Sequence, residues 1–174
     1  TISDNIVANS TYGLFVFNPG TQALMDGWSV TTAGNNSLGL YAGNSGAISL
    51  TNSSVTTAGN NSHGAYAVKS AISLTNTAVA TTGNYSHGLV AGSGGSIAMN
   101  AGSIATAGLG GYGMYAYDGG AISLTGASVA TTGNTSYGLA AFSSGTVTMT
   151  GGTVTTAGNN SHGLYAGNSG AISL

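Results

Sequence analysis

His63, His87 and His162 are the residues in this 174-residue chain best suited to chemistry, and all three fall on one repeating position. They share it with Leu38, Tyr112 and Tyr137. His63 and His87 belong on adjacent repeats, near enough to share a metal ion. The chain has no Cys and no Glu, however, to complete a ligand set of the usual size. Because Leu and Tyr occupy the same position, the imidazoles read as space-filling side chains, and no metal site is expected. General acid–base chemistry needs paired carboxylates, or a basic residue beside an acidic cluster. Asp118 is the sole carboxylate of the later repeats, and Lys69, the only Lys or Arg, lies two repeats away. We therefore expect no catalytic residue, no cofactor and no enzyme, the polysaccharide-cleaving β-helix enzymes included. The stretch Tyr117-Asp118-Gly119-Gly120 lacks the repeated Gly and Asp of calcium-binding nonapeptides.

Composition narrows the partners further. Only 2% of residues are charged, so the several Lys or Arg needed to neutralise a nucleic-acid backbone do not exist. No apolar run has the length of a transmembrane helix, and a hydrophobic share of 41% argues for a folded chain. With 31 Gly, long helices are disfavoured, and the Gly residues do not follow the collagen triplet. The start at Thr1, with no initiator Met, reads as a processed or excised product.

The elements that carry these residues repeat about every 25 positions. Val30, Val55, Val79, Ile104, Val129 and Val154 recur at spacings of 25, 24, 25, 25 and 25. Columns of Thr from Thr32, and of Gly from Gly34 and Gly39, keep the same beat. A period of this length marks one coil of a stack. Within residues 29–53, three alternating segments, Ser29 to Ala33, Leu38 to Ala42 and Ala47 to Thr51, are separated by Gly, Asn and Ser clusters. Gly34 followed by Asn35 suits a left-handed turn, and Gly43 to Gly46 supplies the second corner.

These segments predict an all-β, single-stranded parallel β-helix, or β-solenoid, of about seven coils with three short strands each. Residues 1–174 form one domain, with 1–28 a divergent first coil and 29–174 six regular coils. Alternation places Ile48, Leu50, Leu40 and Val30 with their repeats inward, and the Thr32 column inward as well, its hydroxyls needing backbone partners at a corner. Asn35, Asn60, Asn84, Asn134 and Asn159 each precede a Ser by two residues. This matches a glycosylation acceptor, but a stacked Asn ladder at a repeating corner explains the pattern better.

Two outward surfaces are candidates for binding. Ser49 with Thr51, Ser73 with Thr75, Ser123 with Thr125, and Thr148 with Thr150 form ranks of hydroxyls, interrupted at Ala98 and Asn100, that could meet ice or a regular glycan. Strand propensity alone also enriches Thr there. Tyr41, Tyr66, Tyr115 and Tyr165 form an aromatic column broken by Val90 and Ala140, suited to stacking on glycans or to covering the rod.

The ends suggest a different partner, another copy of the same chain or further coils of a longer one. Residues 158–174 differ from 34–50 only in His162 for Leu38, so the last coil is not a cap. Leu174 followed by Thr1 would restore the A-I-S-L-T motif of residues 47–51, which points to head-to-tail stacking. The candidate end-to-end interface comprises Thr1, Ile2, Phe15, Phe17, Trp28, Leu164, Ile172 and Leu174.

The motif [SG]-[LHY]-G-[LAM]-[YVA]-A followed by [GS]-[AST]-[IV]-[SAT]-[LM], across residues 29–174, resembles the passenger repeats of Gram-negative autotransporter adhesins. The resemblance implies a right-handed parallel β-helix, export to the cell surface, and an adhesive or spacer role with a host or matrix glycan or protein as partner. The lack of Cys is similar to that family. No translocator barrel is expected within residues 1–174.

Overall fold

The computed structural model describes residues 5–8 and 11–174. In the second coil the strands are Ser29–Thr32, Leu38–Gly43 and Ala47–Thr51, close to the segments that alternation marks out. Each strand pairs in parallel with its counterpart one coil on: Val30 with Val55, Leu40 with Ala65, Ile48 with Ile72. The first coil follows the same plan, with Ile6 against Val30, Leu14 against Leu40 and Met25 against Leu50. The chain is an all-β solenoid of about seven coils, with no helix among the described residues.

Two sheets form its walls. The second strands make a seven-stranded sheet, while the third and first strands share a twelve-stranded one. They share it because the third strand of one coil continues into the first strand of the next at Ala71–Thr81 and Ser96–Thr106. Asn76 (φ 47°) and Ala101 (φ 57°) turn the chain inside those long strands. Between the walls, the Val30, Leu40, Ile48 and Leu50 columns are at most 5% exposed from the second coil through Met149. Burying each such side chain contributes about 1.5–3 kcal/mol, which a coil realises only when neighbours cover it.

Polar groups inside the stack are satisfied along its axis. Thr32, Thr57, Thr81 and Thr106 donate to the carbonyls of Ser37, Ser62, Ser86 and Gly111 at 2.6–3.0 Å, the corner partners that their inward position demands. Thr131 Oγ1 has no such partner. The buried Ser62 and Ser86 accept the N–H of Ser37 and Ser62, and the Ser161 hydroxyl accepts that of Ser136. Asn35, Asn60, Asn84 and Asn134 each accept through Oδ1 the backbone N–H of the next coil, at 2.8–3.0 Å. The sequon Asn and Ser are thus two ladders of one corner.

The left-handed residue at that corner is not Gly34 or Asn35, as the dipeptide suggests, but the next one, Asn36 (φ 56°), Asn61 (φ 52°) and Tyr85 (φ 55°) in successive coils. The Gly column is needed for a different reason. A Cβ on Gly59 would lie 2.0 Å from the Gly34 carbonyl oxygen, and one on Gly83 1.9 Å from that of Gly59. Successive corners touch backbone to backbone. At the second corner the left-handed residues are Asn44 and Ser45, between the two glycines.

Candidate functional site

The outer face of the second-strand sheet collects most of the aromatic and imidazole groups. Tyr41, Tyr66 and Tyr115 lie there half-buried and Tyr165 exposed, while Val90 and Ala140, which interrupt the column, are covered. Beside them runs the histidine column. His63 and His87 stack at 4.8 Å with planes 5° apart, His87 stacks on Tyr112 at 4.6 Å, and Tyr112 on Tyr137 at 4.6 Å. The edges of Tyr66 and Tyr115 close against His63 and His87.

This wall fixes the state of the two imidazoles. Nδ1 of His63 accepts the backbone N–H of His87 at 3.1 Å, and Nδ1 of His87 accepts that of Tyr112 at 3.0 Å. Each ring must therefore be neutral and carry its proton on Nε2. Burial lowers the pKa of His63 to about 4, and burial reinforced by the neighbouring His63 lowers that of His87 to about 3. Among the described residues no group of three His, Cys, Asp or Glu converges on a point. The imidazoles act as backbone acceptors in a ladder.

Phe15 and Phe17 belong to the same wall. Phe15 stacks on Tyr41 at 5.4 Å and 7°, and Phe17 on Phe15 at 5.8 Å. Trp28 is half-buried at the corner, where its backbone N–H donates to Ser53 Oγ and its backbone carbonyl accepts the N–H of Ser54. Thr1 and Ile2 lie outside the described residues. Phe15, Phe17 and Trp28 lie in the first coil and Leu164, Ile172 and Leu174 in the last, so within one chain they stand at opposite ends of the stack.

The third-strand wall carries the hydroxyl ranks. Ser73, Thr75, Ser123, Thr125, Thr148 and Thr150 are exposed, and Ser49 and Thr51 partly so. A shallow groove of about 330 Å³ runs along the axis over Ala47, Ala71, Ser96, Ala121 and the Ser49 rank. No carboxylate, imidazole or amine lines it, so it can meet a flat uncharged surface but supplies no acid or base.

The last coil leaves a third feature. Leu164 is 44% exposed and Leu174 75%, against 0% for Leu139 and 1% for Leu124 in the same columns. With Met149 and Val154 they border an open cavity of about 440 Å³.

Sequence reasoning overlooks Tyr12, Tyr117 and Phe142 in the aromatic wall, and the Ser ladder. The Ser column is legible at the same 25-residue beat, but the Asn-X-Ser pattern draws the eye toward the Asn.

No protein-family model matches the chain, and no curated protein matches it. Among solved structures it is similar to HetL, a pentapeptide repeat protein involved in heterocyst differentiation regulation from the cyanobacterium Nostoc sp. strain PCC 7120. That structure is 11% identical over 93% of this chain and 88% of the other, with a TM-score of 0.17. A superposition that loose carries no argument, so the solenoid assignment rests on this chain's own strand register.

Proposed function

We propose that the chain is a non-enzymatic structural rod of the adhesin-passenger type, displayed outside the cell. Its stack continues into further coils, or meets further copies head to tail, to form a surface fibre or stalk. The observation that carries this reading is the in-register parallel pairing of each coil with the next. The inward columns run on to Leu164, Ile172 and Leu174, which one more coil in the same register would bury. Such a contact is heterologous and does not close, so it propagates. The repeat's resemblance to autotransporter passengers supports the location, and the scarcity of titratable groups supports a role through shape.

Electron microscopy across a concentration series tests the stacking. The wild-type chain is expected to give long unbranched fibres as concentration rises, and Leu164→Lys/Ile172→Lys only short rods. Short rods from the wild type at every concentration would overturn head-to-tail assembly.

A further inference from the structure

Tyr66 and Tyr117 stand two coils apart, yet their hydroxyls are hydrogen-bonded to each other. The coil between them makes room. Val90, in register with Tyr66 on one side and Tyr115 on the other, replaces an aromatic ring in the Tyr column. Gly92 does the same for its neighbour, since a Cβ there would lie 2.4 Å from Tyr117 Cζ. Tyr117 therefore lies over Gly92, and both tyrosines are half-buried. No other pair of tyrosine hydroxyls is joined in this way among the described residues.

We propose that Tyr66 and Tyr117 form an oxidative cross-linking site, at which a haem peroxidase using hydrogen peroxide joins the two rings as dityrosine and staples three coils together. Each phenol loses one electron and its hydroxyl proton. The two phenoxyl radicals form one C–C bond between ortho carbons, and the hydrogens on those carbons move to the phenol oxygens as the rings regain aromaticity. The two electrons and two protons released reduce one hydrogen peroxide to two waters. In the product the phenol oxygens flank the new bond, side by side. The hydrogen-bonded pair already approximates that arrangement, so little reorganisation separates it from coupling.

Other close tyrosine pairs meet through their ring faces or at an angle, and none has its hydroxyls hydrogen-bonded to each other. Tyr137 and Tyr165 lie face to face at 8°, Tyr115 and Tyr117 at 25°, and Tyr41 meets Tyr66 at 89° and 5.8 Å. Stacked faces hold the ortho carbons above one another instead of edge to edge. In a chain without Cys, disulfides are not available as covalent locks, and a tyrosine bridge supplies one.

The test treats dilute full-length chain with a haem peroxidase and hydrogen peroxide. It reads dityrosine fluorescence, the intact mass, and the cross-linked peptides of a peptic digest. The expected product is an intramolecular species lighter by two hydrogen atoms, mapped to Tyr66 and Tyr117. Tyr66→Phe and Tyr117→Phe are each expected to lower its yield at least about tenfold, because the pre-positioned partner is lost, while Tyr165→Phe leaves it unchanged. Circular dichroism checks that the Phe variants keep the fold. The proposal is overturned by an absence of dityrosine, by a bridge mapped to another pair or found only between chains, or by full yield in Tyr66→Phe.

Discussion

Gly83→Ala is expected to destabilise the chain by about 4 kcal/mol or more, the range reserved for changes that break a structural contact outright. The added methyl would stand 1.9 Å from the Gly59 carbonyl oxygen and 2.3 Å from its carbon, and neither atom belongs to a side chain that can swing away. Relief requires two coils to part by more than an ångström. That costs ladder bonds on both sides of the corner, because coils hydrogen-bond at about 4.8 Å. Gly126→Ala is the matched control. Its φ is +63° and no atom lies within 4 Å, so only backbone strain of about 1–2 kcal/mol applies. Urea unfolding followed by circular dichroism separates the two. Since the backbone of each coil pairs only with that of its neighbours, hydrogen exchange in Gly83→Ala should accelerate first between Gly59 and Gly108. Equal midpoints for the two variants would refute the backbone-to-backbone contact.

Acid is expected to loosen the stack through His63 and His87. Both have folded-state pKa values below the ordinary 6.5, at about 4 and about 3, so the fold favours the neutral ring. Their contribution is complete above pH 6.5 and is lost progressively as pH falls from there toward 4, because the unfolded chain takes up protons first. At pH 5 the two rings together should cost on the order of 2–4 kcal/mol, the lower figure allowing for their solvent-facing edges. His63→Tyr/His87→Tyr, which extends the tyrosines already present at Tyr112 and Tyr137 in the same column, should flatten the dependence between pH 6.5 and 4. An unchanged slope in that variant would show that these imidazoles do not govern it.

The sequence made the walls legible because alternation and a 25-residue beat are both linear signals. Val30, Leu40, Ile48 and Leu50 announce an inward face once their counterparts line up, and Thr32 announces a buried hydroxyl that needs a corner carbonyl. The corners were less legible. Gly34 and Asn35 are both permissive residues, so composition cannot say which one turns. The answer, Asn36, follows from contact between neighbouring coils that no single repeat encodes. The long strands at Ala71–Thr81 and Ser96–Thr106 depend likewise on hydrogen bonds across coils. In the candidate sites, the Tyr column was visible as a repeat. The Tyr66–Tyr117 pair was not, because it arises from the absence of bulk at Val90 and Gly92, and it joins residues that occupy different columns.

In-register stacking can be measured with paired cysteines, since the chain has none of its own. Ser73 and Ala98 are exposed partners on adjacent strands, whereas Ser73 and Asn100 are offset by two residues. Partners at the strand spacing of about 4.8 Å fall within disulfide reach, while the offset pair sits roughly 8 Å apart, beyond it. Under mild oxidation, Ser73→Cys/Ala98→Cys should close an intramolecular disulfide rapidly without loss of melting temperature, and Ser73→Cys/Asn100→Cys should remain reduced. Faster closure of the offset pair, or of neither, would contradict the stack.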